Sequence, residues 1–191
     1  MRPRARHDGP VSTLSPAPAT SARVREGRET DVDAVVAMVH ELAEYERSAD
    51  QAHLTAEQLH RAVFTGAAPG GGPAAYLSVA EVDGPGGPGA GDAEVVGFAL
   101  WFLNFSTWEG VHGIYLEDLY VRPDRRGSGA GRALLTALAR TAVERGYARV
   151  DWSVLDWNAS AIGFYDRIGA VPMDGWTTYR LTGAALGSLG R

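Results

Sequence analysis

Residues 115–121 read Tyr-Leu-Glu-Asp-Leu-Tyr-Val, so two adjacent carboxylates, Glu117 and Asp118, sit inside an otherwise apolar run. After a short turn the chain continues Arg126-Gly127-Ser128-Gly129-Ala130-Gly131. The carboxylates suit a cation and its proton. The glycines let backbone approach a ligand closely and present several N–H groups together, and a following helix adds its positive dipole end and unsatisfied amides. An enzyme moving a group from a phosphate-bearing donor to an amine needs both features side by side. The turn is not a dinucleotide fingerprint, which would place glycine at position 132, where Arg132 stands. A plain turn before an alanine-rich helix is the alternative for these six residues.

Neighbours in a regular strand point to opposite faces, so one of Glu117 and Asp118 looks inward unless a bulge swings both to one side. The alternative is an edge strand that uses acids against aggregation. Such an edge fits poorly with a run as apolar as 114–121 that leads straight into a helical crossover. Asn158 and Tyr165 lie seven residues apart, about two turns along one helix face, with Tyr165 beside the stripe Ala161, Phe164 and Ile168. Trp101, Phe102, Phe105 and Trp108 read as core or cleft wall. The five histidines show no ligand spacing with acids, so no metal is expected.

Composition narrows the classes. There is no cysteine and no lysine among the 191 residues. A thiolate nucleophile, a Walker-type phosphate loop and a pyridoxal Schiff base are thereby excluded, and the lack of cysteine fits a reducing, cytoplasmic setting. No apolar run reaches the roughly 18 residues that span a bilayer, so no membrane partner is expected. The net charge of −5 is unevenly spread. Eight acids between Glu29 and His60 face one arginine, whereas four arginines from Arg122 to Arg132 face one acid. That separation suits a cationic substrate and an anionic donor, and an acidic chain without a basic stripe is a poor partner for nucleic acid.

Positioning these groups requires a mixed α/β sheet. Residues 1–21 read as a disordered tail, residues 83–93 as a flexible Gly/Pro loop, and 184–191 as a small-residue C-terminal tail. Strands are expected at 23–27, 75–82, 95–104, 113–121, 149–155 and 176–181. Helices are expected from a Thr30–Asp33 capping box to about Arg47, from a Thr55–Gln58 box through Phe64, from about Ser128 to Arg145, and from Asn158 to a stop at Gly169. The order β-α-α-β-β-β-α-β-α-β puts helices on both faces of the sheet.

These motifs, in this order, resemble the GCN5-related N-acetyltransferase (GNAT) superfamily, whose acetyl-CoA signature R/Q-x-x-G-x-G/A matches Arg126 to Gly131. Glu41 to Glu46, Tyr115 to Val121, Asp156-Trp157-Asn158 and Phe164-Tyr165 resemble the diamine (spermidine/spermine) acetyltransferases. Ser106-Thr107-Trp108 and Val154 to Asn158 look most like the thialysine N-acetyltransferases. The resemblance implies an acetyltransferase domain over 22–183, with a mostly antiparallel sheet opening as a V beyond Val121. It implies acetyl-CoA held by Leu119, Tyr120, Val121, Arg126, Gly127, Ser128, Gly129, Ala130, Gly131, Arg132 and Asn158. Tyr165 matches the general acid and Glu117 the residue that assists amine deprotonation. Tyr45, Glu46, Trp108, Glu117 and Asp118 match the amine pocket, and a homodimer is implied. Ser106 stands where diamine enzymes carry an acid, which argues against long polyamines. Acetylation of a protein N-terminus or lysine, and a non-catalytic acyl-CoA-binding module, are the competing readings.

Overall fold

A computed structural model describes residues 22–66, 68–83 and 93–191. The expected tail at 1–21 and most of the loop at 83–93 lie outside the described residues. The chain divides into two compact units, Met1–Trp152 and Ser153–Arg191.

The first unit is a five-stranded sheet in sequence order: β1 (Arg23–Glu26), β2 (Tyr76–Val82), β3 (Glu94–Ser106), β4 (Val111–Val121) and β5 (Val150–Trp152). All neighbours pair antiparallel except β4 and β5, which are parallel and joined by helix α3 (Ala130–Arg145). A parallel pair needs such a crossover, and the alanine- and leucine-rich segment 130–145 supplies it. Leu134, Leu135, Leu138 and Ala142 form its buried stripe. Helices α1 (Val32–Tyr45) and α2 (Ala56–Val63) cover one sheet face, where Val32, Val35, Met38 and Leu59 pack on Leu77, Val79, Phe98 and Tyr120. Gly97 lets β3 approach β4 closely: a Cβ there would meet the Tyr120 carbonyl oxygen at 2.6 Å.

The expected caps are partly realised. Thr55 and Gln58 form the reciprocal box of α2, at 3.3 and 2.9 Å. Gly146, in the left-handed region at φ 68°, ends α3. The start of α1 differs from the expected Thr30–Asp33 box: a 3-10 turn over Glu29–Asp31 precedes it, and Asp31 accepts the Arg28 N–H at 2.7 Å. Tertiary structure decides this, because the buried Asp31 also receives the Arg25 guanidinium at 2.6 and 2.9 Å. Arg25 further pairs with the buried Glu81 of β2, which Arg23 meets at 2.8 Å.

The second unit contains α4 (Ala159–Arg167) and α5 (Gly183–Leu189). Asn158 Oδ1 caps α4 by accepting the Ala161 N–H at 3.2 Å, and Gly169 beyond its end has φ 87°. The strand expected at 176–181 is not formed, and the 184–191 stretch lies mostly in α5 rather than in a tail. Trp176 to Leu181 reads as a strand, but forms none among the described residues, and pairing is what stabilises one. The strand expected at 149–155 shortens to Val150–Trp152 for the same reason: β5 pairs β4 only at Ile114, Tyr115 and Leu116.

Arg25 holds two buried carboxylates, and its removal leaves Asp31 without a guanidinium partner and Glu81 with Arg23 alone. Arg25→Met is expected to cost about 3 kcal/mol at pH 7. Arg25 and Arg23 contacts hold Asp31 and Glu81 below the usual carboxylate range despite burial, which pushes the other way. Stability from such groups is present above their unfolded values and is lost as pH falls through the lowered ones. The destabilisation by Arg25→Met should therefore shrink below about pH 4, and urea titrations at pH 7 and 3.5 check this.

Candidate active site

The register of β3 and β4 jumps at the acidic pair. Leu100 faces Asp118 and Trp101 faces Leu116, so Glu117 has no partner. This is a β-bulge, and the extra residue resets the in–out alternation. Tyr115, opposite Phe102, and then Asp118 and Tyr120, opposite Leu100 and Phe98, share the face that carries α1 and α2. Glu117 itself is exposed and Asp118 half-buried. The bulge also marks where the sheet opens: β5 accompanies β4 only as far as Leu116. From Glu117 to Val121 the edge turned away from β3 has no strand beside it among the described residues, the opening expected for the pantetheine arm.

The acids act on one another. Burial first, then the charges of Glu117 and Glu46, push the Asp118 carboxyl up to about 6. Glu46 caps the C-terminus of α1 and is itself raised by burial. Charges from two distant segments thus act on one half-buried carboxyl, and an ammonium group there relieves both repulsion and desolvation. Most of the other acids between Glu29 and His60 with recorded contacts serve the fold. Asp31 pairs with Arg25, Glu41 accepts from the Tyr120 hydroxyl at 3.1 Å, and Glu29 lies 3.5 Å from His60. The partnership of Tyr120 with Glu41, like the raised Asp118, has no signal in residue spacing.

Past β4, the turn Pro123–Arg125 leads into the glycine segment. Gly127 and Gly129 hold φ of 82° and 87°, and nothing lies within 4 Å of where their Cβ atoms would be. Among the described residues the amides of Gly127, Gly129, Gly131 and Arg132 take no hydrogen-bond partner, whereas Ala130 donates to Ser128 Oγ at 3.4 Å. Open space over unpaired amides at a helix N-terminus fits a pyrophosphate. Of the four arginines, Arg122 and Arg125 are engaged by Glu94, at 3.5 and 2.7 Å, so they brace the turn instead of reaching a ligand. Among the described residues, no three His, Cys, Asp or Glu side chains are arranged to hold a metal.

The remaining expected residues are Asn158, Tyr165 and Trp108. Asn158 and Tyr165 belong to the second unit, Tyr165 half-buried on α4 with its ring 5.4 Å from that of Phe164. Trp108 stands in the β3–β4 hairpin turn, 87 % exposed. Ser106, the expected departure, is buried and caps that turn by accepting the Glu109 N–H at 3.2 Å. Glu117 lies six steps along β4 from Val111, so Trp108 is about 20 Å or more from the acids of its own chain.

Residues 36–170 match the acetyltransferase (GNAT) family. The chain belongs to that family. It is similar to the thialysine N-epsilon-acetyltransferase of Mus musculus, 36% identical over 175 residues that cover 88% of this chain and 97% of the other. A Caenorhabditis elegans protein of the same name is 35% identical, covering 80% and 86%. The L-ornithine N5-acetyltransferase NATA1 of Arabidopsis thaliana is 45% identical over 95 residues, 50% of this chain and 42% of that one. In fold, the chain resembles an integron cassette protein from the mobile metagenome of V. cholerae, with TM-score 0.69, 24% identity, and 90% and 98% coverage. The protein is a GNAT acyltransferase that N-acetylates amines, and acetyl-CoA is the donor the family implies.

Asp118 gives a direct stability test. Its folded value lies above the unfolded one, so between about pH 4 and 6 the native state binds a proton that the unfolded chain has released, and stability falls as pH rises. Asp118→Asn removes that loss. The variant is expected to be more stable than the parent by about 1–3 kcal/mol at pH 7.5 and nearly equal at pH 4. Urea midpoints at the two pH values decide it.

Proposed function

We propose that this GNAT enzyme transfers an acetyl group directly, in a ternary complex, to the primary amine of a small diamine, polyamine or lysine-like substrate such as thialysine. The charges of Glu46 and Glu117 acting on the half-buried Asp118, in the strand that leads to the glycine turn, carry this reading. A lysine-like ammonium has a pKa near 10.4, so roughly one molecule in a few thousand is nucleophilic at pH 7. Acetyl-CoA supplies the acetyl thioester. Glu117 and Asp118 bind the ammonium and take its proton, directly or through water, a type of catalysis worth about 10² to 10⁴ in rate. An amide of the Leu119–Val121 segment donates to the thioester oxygen as charge develops there. Tyr165 gives its hydroxyl proton to the departing sulfur, and Asn158 holds the donor's arm. With no cysteine in the chain, no acetyl-cysteine forms. The chemistry asks for no metal, and the cysteine-free chain fits a cytoplasmic enzyme.

The working unit we propose is a homodimer. Trp108 is too far from its own acids to shape their pocket, so it serves the amine site of a second copy. Trp176, Tyr179, Leu186 and Leu189, all more than half exposed, add apolar surface that suits burial by that copy.

Release of free CoA is expected with putrescine, spermidine, lysine or thialysine and not with a lysine peptide; the reverse preference would favour protein acetylation. Tyr165→Phe should lower kcat with little change in acetyl-CoA affinity. Glu117→Gln should lower kcat and move the acid limb of the pH profile upward. Donor binding without CoA release from any amine would leave only a binding module.

The dimer reading is tested by mixing. Trp108→Ala and Glu117→Gln chains, each impaired alone, should recover about a quarter of the parent activity after exchange, because one site in each mixed dimer is intact. Absence of recovery in a verified mixed dimer would place Trp108 outside the partner's pocket.

A further inference from the structure

Arg126 opens the glycine turn, yet its side chain reaches back toward α1. The guanidinium carbon lies 4.9 Å from the ring centroid of Tyr45 and 5.9 Å from that of Tyr120. Its Nε donates to the Val121 carbonyl at 3.2 Å. Tyr120 is itself tied to α1, because its hydroxyl donates to Glu41. The first residue of the donor turn is thus clasped by the end of β4, by a buried tyrosine and by the last residue of α1. Tyr45 is followed at once by Glu46, whose charge acts on Asp118.

Both ends of this clasp carry residues at positive φ. Gly127 and Gly129 adopt positive φ with open space around them. On the α1 side, Arg47 stands at φ 60°, a conformation non-glycine residues adopt at a cost. Its N–H donates to the Glu44 carbonyl at 3.1 Å, and Ser48 N–H to the Ala43 carbonyl at 2.9 Å, which closes the helix in a Schellman motif. An anion on the turn amides fixes the turn, and fixing the turn fixes Arg126.

We propose that Arg126 is a positioning residue that couples donor binding to the amine pocket: occupancy of the glycine turn orders Arg126, and through its rings Tyr45 and the adjoining Glu46. This rests on the turn being the donor site. Coupling through ordering needs no change of fold, and it is reciprocal, so amine strengthens donor binding by the same factor. An exposed cation–π contact corresponds to a factor of about two to five.

The test is amide hydrogen exchange of the full chain with and without CoA, with no amine present. In the parent, CoA should slow exchange in 127–133 and also in 43–52 by about two- to five-fold. Tyr45→Phe, which keeps a ring, should retain both effects. Tyr45→Leu, outside the turn, should keep protection at 127–133 and lose it at 43–52, and Arg126→Gln should lose it at 43–52 as well. Protection of the turn alone in the parent, or persistence at 43–52 in Tyr45→Leu, overturns the coupling while leaving the donor site intact. No protection by CoA anywhere removes the donor reading itself and the coupling with it.

Discussion

A β-strand alternates its side chains with a period of two, and this molecule depends on one interruption of that period. At Glu117 an extra residue enters β4, and the strand afterwards presents Asp118 and Tyr120 where regular alternation would have placed Glu117 and Leu119. Without the bulge, Asp118 would turn toward the α3 side, away from the charge of Glu46. The same point is where β5 stops accompanying β4, so the sheet opens beside its only adjacent carboxylates. One local irregularity therefore sets the electrostatics around Asp118 and, among the described residues, leaves the backbone from Glu117 to Val121 with no strand on its outer edge.

The cost of this arrangement is held by the scaffold around it. Asp118 is ionised at neutral pH against burial and two like charges, a native state biased toward cation binding. The core of Phe98, Met38 and Val79, and the Arg25–Asp31–Glu81 cluster at the far edge, keep α1 pressed on the sheet. Because α1 ends at Tyr45, the position of Glu46 is an output of that packing. Donor and acceptor features meet again at Arg126, which belongs to the turn by sequence and to the α1 side by contact.

The strongest local patterns were legible and survived: the Thr55–Gln58 box, the Gly146 stop, the Asn158 cap and the long helix after the glycine turn. Each rests on interactions within a few residues, so neighbouring sequence contains all the partners. Where a partner lies far along the chain the reading changed. Asp31 replaced Thr30 at the start of α1 because Arg25 claims it, and 176–181 reads as a strand but forms none. Trp108 matches the amine pocket by resemblance, and the β3–β4 turn sets it about 20 Å from Glu117 and Asp118 of its own chain.

The sequence alone determined the chemistry that is possible: adjacent carboxylates, a glycine-rich turn at a helix start, a tyrosine on the last long helix pattern, and no thiol or lysine nucleophile. Residue types carry those properties whatever the fold. Only the tertiary structure decided which carboxylate is raised, that Glu46 acts on it, and that Arg126 rests on Tyr45. Those outcomes depend on burial and through-space charge between segments some 70 to 80 residues apart, and no spacing rule along a chain records such distances.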